Sequence, residues 1–180
     1  MPARLRVLKS RTIYEGKVIR VKLDDIVEPG GVEARREVVC HPGSIVILPI
    51  LPDERIVLVR QYRYPTRQRL WELVAGGMER GETVRQSARR ELLEETGYRA
   101  RSIKPLLDFY PSPGFLSERM FLVEARGLTL SKARPEEDEC IEVGRFSRAQ
   151  LQRMIRQGKI RDGKTLVGLL WIFSQALLSV

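Results

Sequence analysis

The chain has 180 residues, of which 43% are hydrophobic and 31% are charged, and its formal net charge is +9. A chain of this length forms one domain with a substantial core, and its composition is that of an ordinary globular protein. No apolar run approaches the roughly 20 residues that a membrane-spanning helix requires, so we expect no membrane segment.

The positive charges are spread from Arg4 to Lys164 and form no compact basic block. Nucleic-acid-binding domains gather such residues in a patch or combine them with stacking aromatic residues, so the spread argues against nucleic acid as a partner. A general positive bias does attract anionic small molecules, and we expect a substrate of that kind.

The chain contains one histidine, His41, and two cysteines, Cys40 and Cys140. A zinc site of histidine and cysteine ligands is therefore nearly excluded, and a Ser-His-Asp triad would depend on His41 alone. Because His41 stands before a proline in a predicted turn, we interpret it as structural. The two distant cysteines form no C-x-x-C pair, which indicates reduced thiols and a cytoplasmic location.

Residues 4–40 alternate apolar and polar positions as β-strands do, with breaks at Gly16 and at the turn Pro29-Gly30-Gly31. This pattern predicts a small antiparallel sheet. We therefore expect an N-terminal β extension over residues 1–42, followed by the main domain over residues 43–180.

The main domain opens with two strongly apolar runs, 45–51 and 56–59, joined by a Pro-Asp turn. Such runs suit strands that are buried on both faces. A further segment, 71–74, leads into Gly76 and Gly77. We expect these two glycines to supply unusual backbone angles and a close approach to a ligand.

A helix follows, because Thr83 is a suitable N-cap and Gly97 is a suitable left-handed stop. The apolar residues Val84, Ala88 and Leu92 recur at helical spacing and anchor this helix to a core. Later segments alternate between the two patterns: we predict strands at 103–110, 119–125 and 141–146, and helices at 147–158, where Ser147 and Gln150 form a capping box, and at 166–178. Mixed strands with helices on both sides predict an α/β sandwich.

The acidic residues Glu91, Glu94 and Glu95 share one face of the predicted helix. Adjacent carboxylates repel one another, so the arrangement is costly unless a cation lies among them. Arg89 and Arg90 can hold the carboxylates ionised and oriented through charge-assisted hydrogen bonds. Oxygen ligands of this kind suit Mg²⁺ or Mn²⁺ rather than zinc, and the helix therefore predicts a divalent metal site.

Residues 158–165, with the sequence GKIRDGKT, satisfy the P-loop formula G-x-x-x-x-G-K-[ST]. The alternative function is therefore that of a P-loop nucleotide-binding protein. A true P-loop needs a strand that enters the loop and a helix whose N-terminus faces the phosphates. The preceding segment is predicted to be helical, so we interpret 158–165 as a turn between helices. On this interpretation, Lys164→Ala should have little effect on activity.

The segment from Gly76 to Tyr98 resembles the Nudix box, G-x5-E-x7-R-E-U-x-E-E-x-G-U, in which U is a bulky apolar residue. The matching positions, in order, are Gly76, Glu82, Arg90, Glu91, Leu92, Glu94, Glu95, Gly97 and Tyr98. Only Tyr98 departs from the pattern, because the family more often has an aliphatic residue there. The resemblance implies a Nudix-type α/β/α sandwich with a mixed sheet, and a hydrolase of nucleoside diphosphates linked to another moiety.

Features outside the box resemble the ADP-ribose pyrophosphatase branch. Residues 59–63 are similar to its V-R-Q-x-R strand, residues 71–76 to its L-E-h-P-A-G entry, and residues 112–115 to its loop with a characteristic proline. The resemblance implies Mg²⁺-dependent hydrolysis of the pyrophosphate bond of ADP-ribose or a related nucleotide sugar, giving AMP and ribose 5-phosphate. GDP-mannose and dinucleotides remain open as alternative substrates.

The same resemblance implies roles for individual residues. The implied ligands of two or three metal ions are the carbonyl of Ala75 and the carboxylates of Glu91, Glu95 and Glu139. The implied catalytic residues are Glu94, Arg90 and, as general base, Glu137, which shares the acidic loop 135–141 with Glu139. The implied substrate-binding residues are Arg35, Glu37, Arg63, Glu72, Gly76, Glu79, Ser112, Gly114 and Glu118.

The R-x-E sequence at Arg35 and Glu37 resembles one that, in relatives, reaches the adenosine pocket of the neighbouring subunit. The resemblance therefore implies a homodimer whose subunits exchange their N-terminal sheets.

Overall fold

The computed structural model describes residues 4–131 and 141–175. The chain divides into two compact units. We call the first, Met1–Gly43 with Phe109–Arg119, the N-terminal unit, and the second, Ser44–Asp108 with Met120–Val180, the core unit.

The N-terminal unit is an antiparallel sheet of three strands, β1 (Arg6–Glu15), β2 (Arg20–Val27) and β3 (Glu33–Cys40), in that order. The predicted turn between β2 and β3 is present, and Gly31 adopts a positive φ of 84° there, a conformation that glycine accepts without steric cost. The segment 109–119 adds to β3, because the Val39 N–H donates to the Phe115 carbonyl at 2.8 Å. The predicted antiparallel N-terminal sheet is confirmed.

The core unit contains two sheets. Its strands are β4 (Ser44–Pro49), β5 (Ile56–Arg63), β6 (Gln68–Glu72), β7 (Val74–Gly77), β8 (Tyr98–Phe109), β9 (Met120–Leu130) and β10 (Glu142–Phe146). One sheet has the order β7-β4-β9-β8, and the other has the order β10-β5-β6. The first sheet is mixed, since β4 runs parallel to β9 and antiparallel to β7.

Three helices complete the described part of the core unit: α1 (Val84–Thr96), α2 (Arg148–Arg156) and α3 (Gly163–Gln175). The predicted caps of α1 are confirmed, since Thr83 forms a capping box with Gln86 and Gly97 is left-handed. The predicted capping box of α2 is also present. Helix α3 begins before the predicted 166, because Asp162 accepts the Thr165 N–H at 3.0 Å and so caps a polar first turn.

Alternating side chains of β4 enter two different hydrophobic clusters, as the two-residue period of a strand requires. One cluster contains Ile45 and Ile47 of β4 with Ala88 and Leu92 of α1. The other contains Val46 and Leu48 of β4 with Leu151 of α2 and Leu169 of α3. Full burial of a valine, leucine or isoleucine side chain stabilises the fold by about 1.5–3 kcal/mol. The strand is therefore covered by helices on both faces, and the predicted α/β/α layering is confirmed.

None of the helices within residues 4–131 and 141–175 combines the length and the apolar character needed to cross a membrane.

Candidate active site

Gly76 lies where β7 meets α1. It pairs with Ile45 of β4, and a Cβ atom built on Gly76 would stand 2.0 Å from the carboxyl carbon of Glu91. Only a residue without a side chain leaves room for that carboxylate. The approach seen here is that of Glu91, whereas the predicted close approach to a ligand stays a prediction. The predicted unusual backbone angles are absent, because Gly76 and Gly77 belong to a regular strand. The left-handed glycine is Gly81, with a φ of 88°, in the turn before α1.

Gly76→Ala should lower kcat by about tenfold, because the new methyl group would displace the Glu91 carboxylate from its position. Gly77→Ala is the matched control, since no described atom lies within 4 Å of a Cβ at that position. Steady-state kinetics and thermal unfolding of both variants would check the prediction. Equal activity of the two variants would contradict it.

Arg90 joins the acidic side chains of α1 and of the turn before it. Its Nε and Nη2 donate to Glu82 Oε1 and Oε2, each at 3.0 Å. Its Nη1 donates to Glu91 Oε1 at 2.7 Å and to Glu94 Oε2 at 3.1 Å. Its Nη2 also donates to the carbonyl oxygen of Gly77 at 3.0 Å. One guanidinium thus orients three carboxylates and ties α1 to the end of β7.

Arg89 does not share this role. Its side chain is exposed and forms no hydrogen bond or ion pair with any of the described residues. The prediction that both arginines hold the box carboxylates is therefore wrong for Arg89. The physical reason is the helical period: a side chain next in sequence points about 100° away around the axis.

Glu82 was given no role by the sequence, although it occupies a fixed position of the box. The structure makes it the principal partner of Arg90, and its Oε2 also accepts from Ser87 Oγ at 2.7 Å and from the Glu79 N–H at 3.1 Å. Hydrogen bonds from Arg90, and then from Ser87, hold the pKa of Glu82 down to about 2 despite partial burial. Its spacing of eight residues from Arg90 was the signal that could have identified the pair.

The predicted metal ligands of α1, Glu91 and Glu95, lie one helical turn apart and are 9% and 6% exposed. Ala75 precedes Gly76 in β7, the strand that α1 contacts. Their oxygen atoms form a donor set that suits a hard divalent cation, and the missing side chain at Gly76 makes room for the Glu91 carboxylate in this set. Within residues 4–131 and 141–175, no three acidic, histidine or cysteine side chains converge as a complete metal site.

Glu137 and Glu139, the predicted general base and additional metal ligand, lie outside the described residues. The carboxylates that α1 supplies therefore account for only part of the predicted ligand set.

Arg63 of β5 and Glu72 of β6 form an ion pair in which the carboxylate is buried and the arginine side chain is partly exposed. The guanidinium donates from Nε to Glu72 Oε1 at 2.9 Å and from Nη2 to Oε2 at 2.7 Å. Lys164 Nζ donates to the same Oε2 at 2.5 Å. Burial raises the pKa of Glu72, but the hydrogen bonds from Arg63 and the charge of Lys164 outweigh it and hold that pKa below its ordinary value. Glu72 is therefore an anion with two cationic partners.

The remaining predicted substrate residue of the core unit, Glu79, is exposed in the turn before α1. Its carboxylate lies 3.8 Å from Arg90 Nε. Glu79 therefore belongs to the same acidic group as Glu82.

The other predicted substrate residues belong to the N-terminal unit. Arg35 and Glu37 are exposed on β3, and Arg35 Nε donates to Asp25 Oδ1 at 2.7 Å across the sheet. Ser112 and Gly114 lie in the segment that adds to β3, where the Ser112 carbonyl accepts the Leu116 N–H at 3.0 Å. These four residues therefore belong to one unit.

Glu118, in the same segment, is 9% exposed and lies beside His41, with 3.5 Å between Oε1 and Nδ1. The Nδ1 atom of His41 also accepts the Gly43 N–H at 3.1 Å. These contacts agree with the interpretation of His41 as a structural residue of the turn.

The P-loop formula at 158–165 does not form a P-loop. Its residues connect α2 to α3, so a helix rather than a strand enters the segment. Lys164 is directed to Glu72 and Asp162 instead of toward an open anion site. The P-loop alternative is therefore wrong.

Tyr98, the departure from the box pattern, is buried with its hydroxyl paired. Arg145 Nε of β10 donates to it at 2.8 Å, so the tyrosine packs as an aliphatic residue would and satisfies its polar tip.

A family model described as the NUDIX domain matches residues 41–166. The chain belongs to the Nudix family. It is 34% identical over 162 residues to the ADP-ribose pyrophosphatase of Bacillus subtilis (strain 168), which covers 89% of this chain and 88% of that protein. It is also 34% identical over 175 residues to the methanol dehydrogenase activator of Bacillus methanolicus, which covers 96% of this chain and 95% of that protein.

Among solved structures, the crystal structure of an ADP compounds hydrolase superposes with a TM-score of 0.86 at 22% identity, and the match covers 97% of this chain and 95% of that chain. This likeness confirms the Nudix fold. Nudix enzymes of the ADP-ribose pyrophosphatase kind generally use divalent metal ions, which agrees with the oxygen donors of α1 and β7.

Proposed function

We propose that this Nudix protein hydrolyses the pyrophosphate bond of ADP-ribose or a related nucleoside diphosphate sugar, giving AMP and ribose 5-phosphate. The observation that carries the proposal is the carboxylate cluster of α1, oriented by Arg90 and packed against Gly76. The likeness to an ADP-ribose pyrophosphatase over 89% of the chain supports the choice of substrate.

We propose Mg²⁺, or Mn²⁺ in its place, as the cofactor, with two or three ions held by Ala75, Glu91, Glu95 and, from the acidic loop, Glu139. Such ions neutralise the diphosphate and lower the pKa of a bound water. Arg90 orients the box carboxylates, because it donates to Glu82, Glu91 and Glu94 together. Among the three carboxylates that accept hydrogen bonds from Arg90, Glu94 has the most exposed side chain, at 32%.

Each unit of the chain carries proposed substrate-binding residues. In the core unit, the side chain of Arg63 is 38% exposed, and its guanidinium can donate to an anionic or carbonyl group of the substrate. In the N-terminal unit, Arg35 and Glu37 present exposed polar groups on one strand. The support for these roles is the resemblance to the ADP-ribose pyrophosphatase branch together with the exposure of the side chains.

A substrate panel tests the proposed function. Purified protein would be assayed with Mg²⁺ against ADP-ribose, GDP-mannose and a dinucleotide, because one relative is named for activating a dehydrogenase rather than for a nucleotide sugar. We expect the highest kcat/KM for ADP-ribose. Preference for either of the other compounds would keep the reaction class and change the substrate.

We further propose that the protein is a homodimer in which the N-terminal sheet contributes to the partner's substrate site. The support is the character of β1, which is exposed along its whole length and carries Val7 and Leu8 at 55% and 53% exposure. A strand that exposes apolar side chains on both of its faces offers a surface that another protein surface can cover.

The double variant Val7→Asp, Leu8→Asp should convert the dimer to a monomer and raise KM by about tenfold. Adjacent side chains of a strand point to opposite faces, so the pair introduces a charge whichever face is covered. Leu130→Asp, at a residue that is 69% exposed in the core unit, is the control. Sedimentation velocity gives the oligomeric state, and a wild-type monomer with normal activity would contradict the proposal.

A cytoplasmic location is also proposed. Its support is the sequence alone, since Cys40 and Cys140 are widely separated and Cys40 is a free thiol.

A further inference from the structure

Lys164 reaches a carboxylate that is distant in sequence and fully buried. Its Nζ donates to Glu72 Oε2 at 2.5 Å, across 92 residues of sequence, and the Glu72 side chain is 1% exposed. Removing one partner of such a buried charge is costly, because the charge that remains has lost its compensation. The contact is therefore of a different kind from a surface ion pair, whose contribution to stability is small.

The backbone around Lys164 is fixed to the strand end that carries Glu72. Thr165, which is fully buried, accepts the N–H of Leu73 on its Oγ1 at 2.7 Å. The same Oγ1 donates to Asp162 Oδ2 at 2.6 Å, and Asp162 Oδ1 accepts from Lys164 Nζ at 2.9 Å. The residue that follows Glu72 is thus hydrogen-bonded to the residue that follows Lys164.

Close packing holds the start of α3 in this place. A Cβ atom built on Gly168 would stand 2.4 Å from Leu73 Cδ1, so α3 packs closely on the residue that follows Glu72. This packing fixes the backbone position from which Lys164 reaches Glu72.

The two carboxylate oxygens of Glu72 differ in the cations that they contact. Oε1 accepts only from Arg63 among the described side chains, whereas Oε2 accepts from both Arg63 and Lys164. Two of the five N–H groups of the Arg63 guanidinium are used in this fork, and the side chain remains 38% exposed. The carboxylate therefore fixes the plane of the guanidinium and leaves three N–H groups outside the fork.

We propose that Lys164 is a positioning residue for substrate binding: it fixes the Glu72 carboxylate, which in turn orients Arg63 toward the substrate. The proposal rests on the proposed function, because it assumes that Arg63 lines the substrate site. It also gives the P-loop-like segment a role in the absence of a P-loop. The expectation that Lys164→Ala has little effect on activity followed from the interpretation of 158–165 as a turn between helices. The contact of Lys164 with Glu72 predicts an effect on substrate binding instead.

A double-mutant cycle tests the proposal. Lys164→Gln, Glu72→Gln and the double variant would be compared with wild type for KM and kcat with ADP-ribose and Mg²⁺, and for thermal unfolding. Lys164→Gln should raise KM by about tenfold and change kcat by less than about threefold, since a ground-state contact is disturbed rather than the reacting groups. In the Glu72→Gln background, the same change should alter KM by less than about twofold, because the two residues act in series.

Two further variants keep the result interpretable. Lys159→Gln changes an exposed lysine of the same segment and should leave KM unchanged. Lys164→Arg keeps the cation and should restore at least part of the affinity, which a role in stability alone would not require. If Lys164→Gln lowers only the melting temperature and leaves KM unchanged, the proposal is wrong.

The outcomes separate this proposal from the proposed function. If wild-type protein neither binds nor cleaves ADP-ribose, the function and the inference fail together. If wild type is active and Glu72→Gln raises KM while Lys164→Gln does not, the function stands and only the inference is overturned. A fall in kcat of a hundredfold or more in Lys164→Gln would also overturn it, because the lysine would then act on the reaction itself.

Discussion

Glu91→Gln and Glu95→Gln should each lower kcat by about a hundredfold or more, a loss of about 3 kcal/mol in transition-state stabilisation. Each substitution keeps the shape of the side chain and removes the negative charge that a metal ligand supplies. Both residues are buried on α1, and the Glu91 carboxylate lies against Gly76 of β7, so no exposed carboxylate can take the same position. Steady-state kinetics over a range of Mg²⁺ concentrations would measure the effect.

The control for this pair is Glu54→Gln. Glu54 is an exposed partner of Arg126 in the core unit, with 2.8 Å between Oε1 and Nη1, and such surface pairs contribute little. Its activity should equal that of wild type. Near-normal activity of Glu91→Gln or Glu95→Gln at saturating Mg²⁺ would remove the residue concerned from the ligand set.

Glu137→Gln should lower kcat by roughly 10²–10⁴-fold with little change in KM, the usual consequence of losing a general base. The described carboxylates are poorly suited to that task. Arg90 already donates to Glu82, Glu91 and Glu94, and its hydrogen bonds hold the pKa of Glu82 down to about 2. Glu137 has acidic neighbours in sequence, which favour proton uptake.

Glu136→Gln is the matched control for Glu137→Gln, since it removes the adjacent charge of the same loop. We expect a mild effect on kcat. Equal losses in the two variants, or no loss in either, would place the general base elsewhere.

The parts of the fold that the sequence predicted well are those determined by neighbouring residues. The ends of α1 depend on the Thr83 capping box and on the left-handed Gly97, and both signals lie within one turn of the helix. The burial of β4 on both faces follows from an unbroken apolar run. Local chemistry was sufficient for these elements.

The errors arose where contacts join distant parts of the chain. Lys164 and Glu72 are separated by 92 residues, so the lysine appeared as part of a loop formula rather than as the partner of a buried carboxylate. Gly76 is required by the approach of Glu91 and not by its own backbone angles, a distinction that only the packing of α1 on β7 reveals. The fixed position of Glu82 in the box likewise did not reveal its hydrogen bonds with Arg90.

Product analysis tests the central claim most directly. Purified protein would be incubated with ADP-ribose and Mg²⁺, and the products separated by ion-exchange chromatography. Cleavage of the pyrophosphate bond predicts AMP and ribose 5-phosphate in equal amounts, and their formation should stop when EDTA removes the metal. The account would be contradicted by an intact substrate, by products that retain the diphosphate, or by cleavage that continues without a divalent ion.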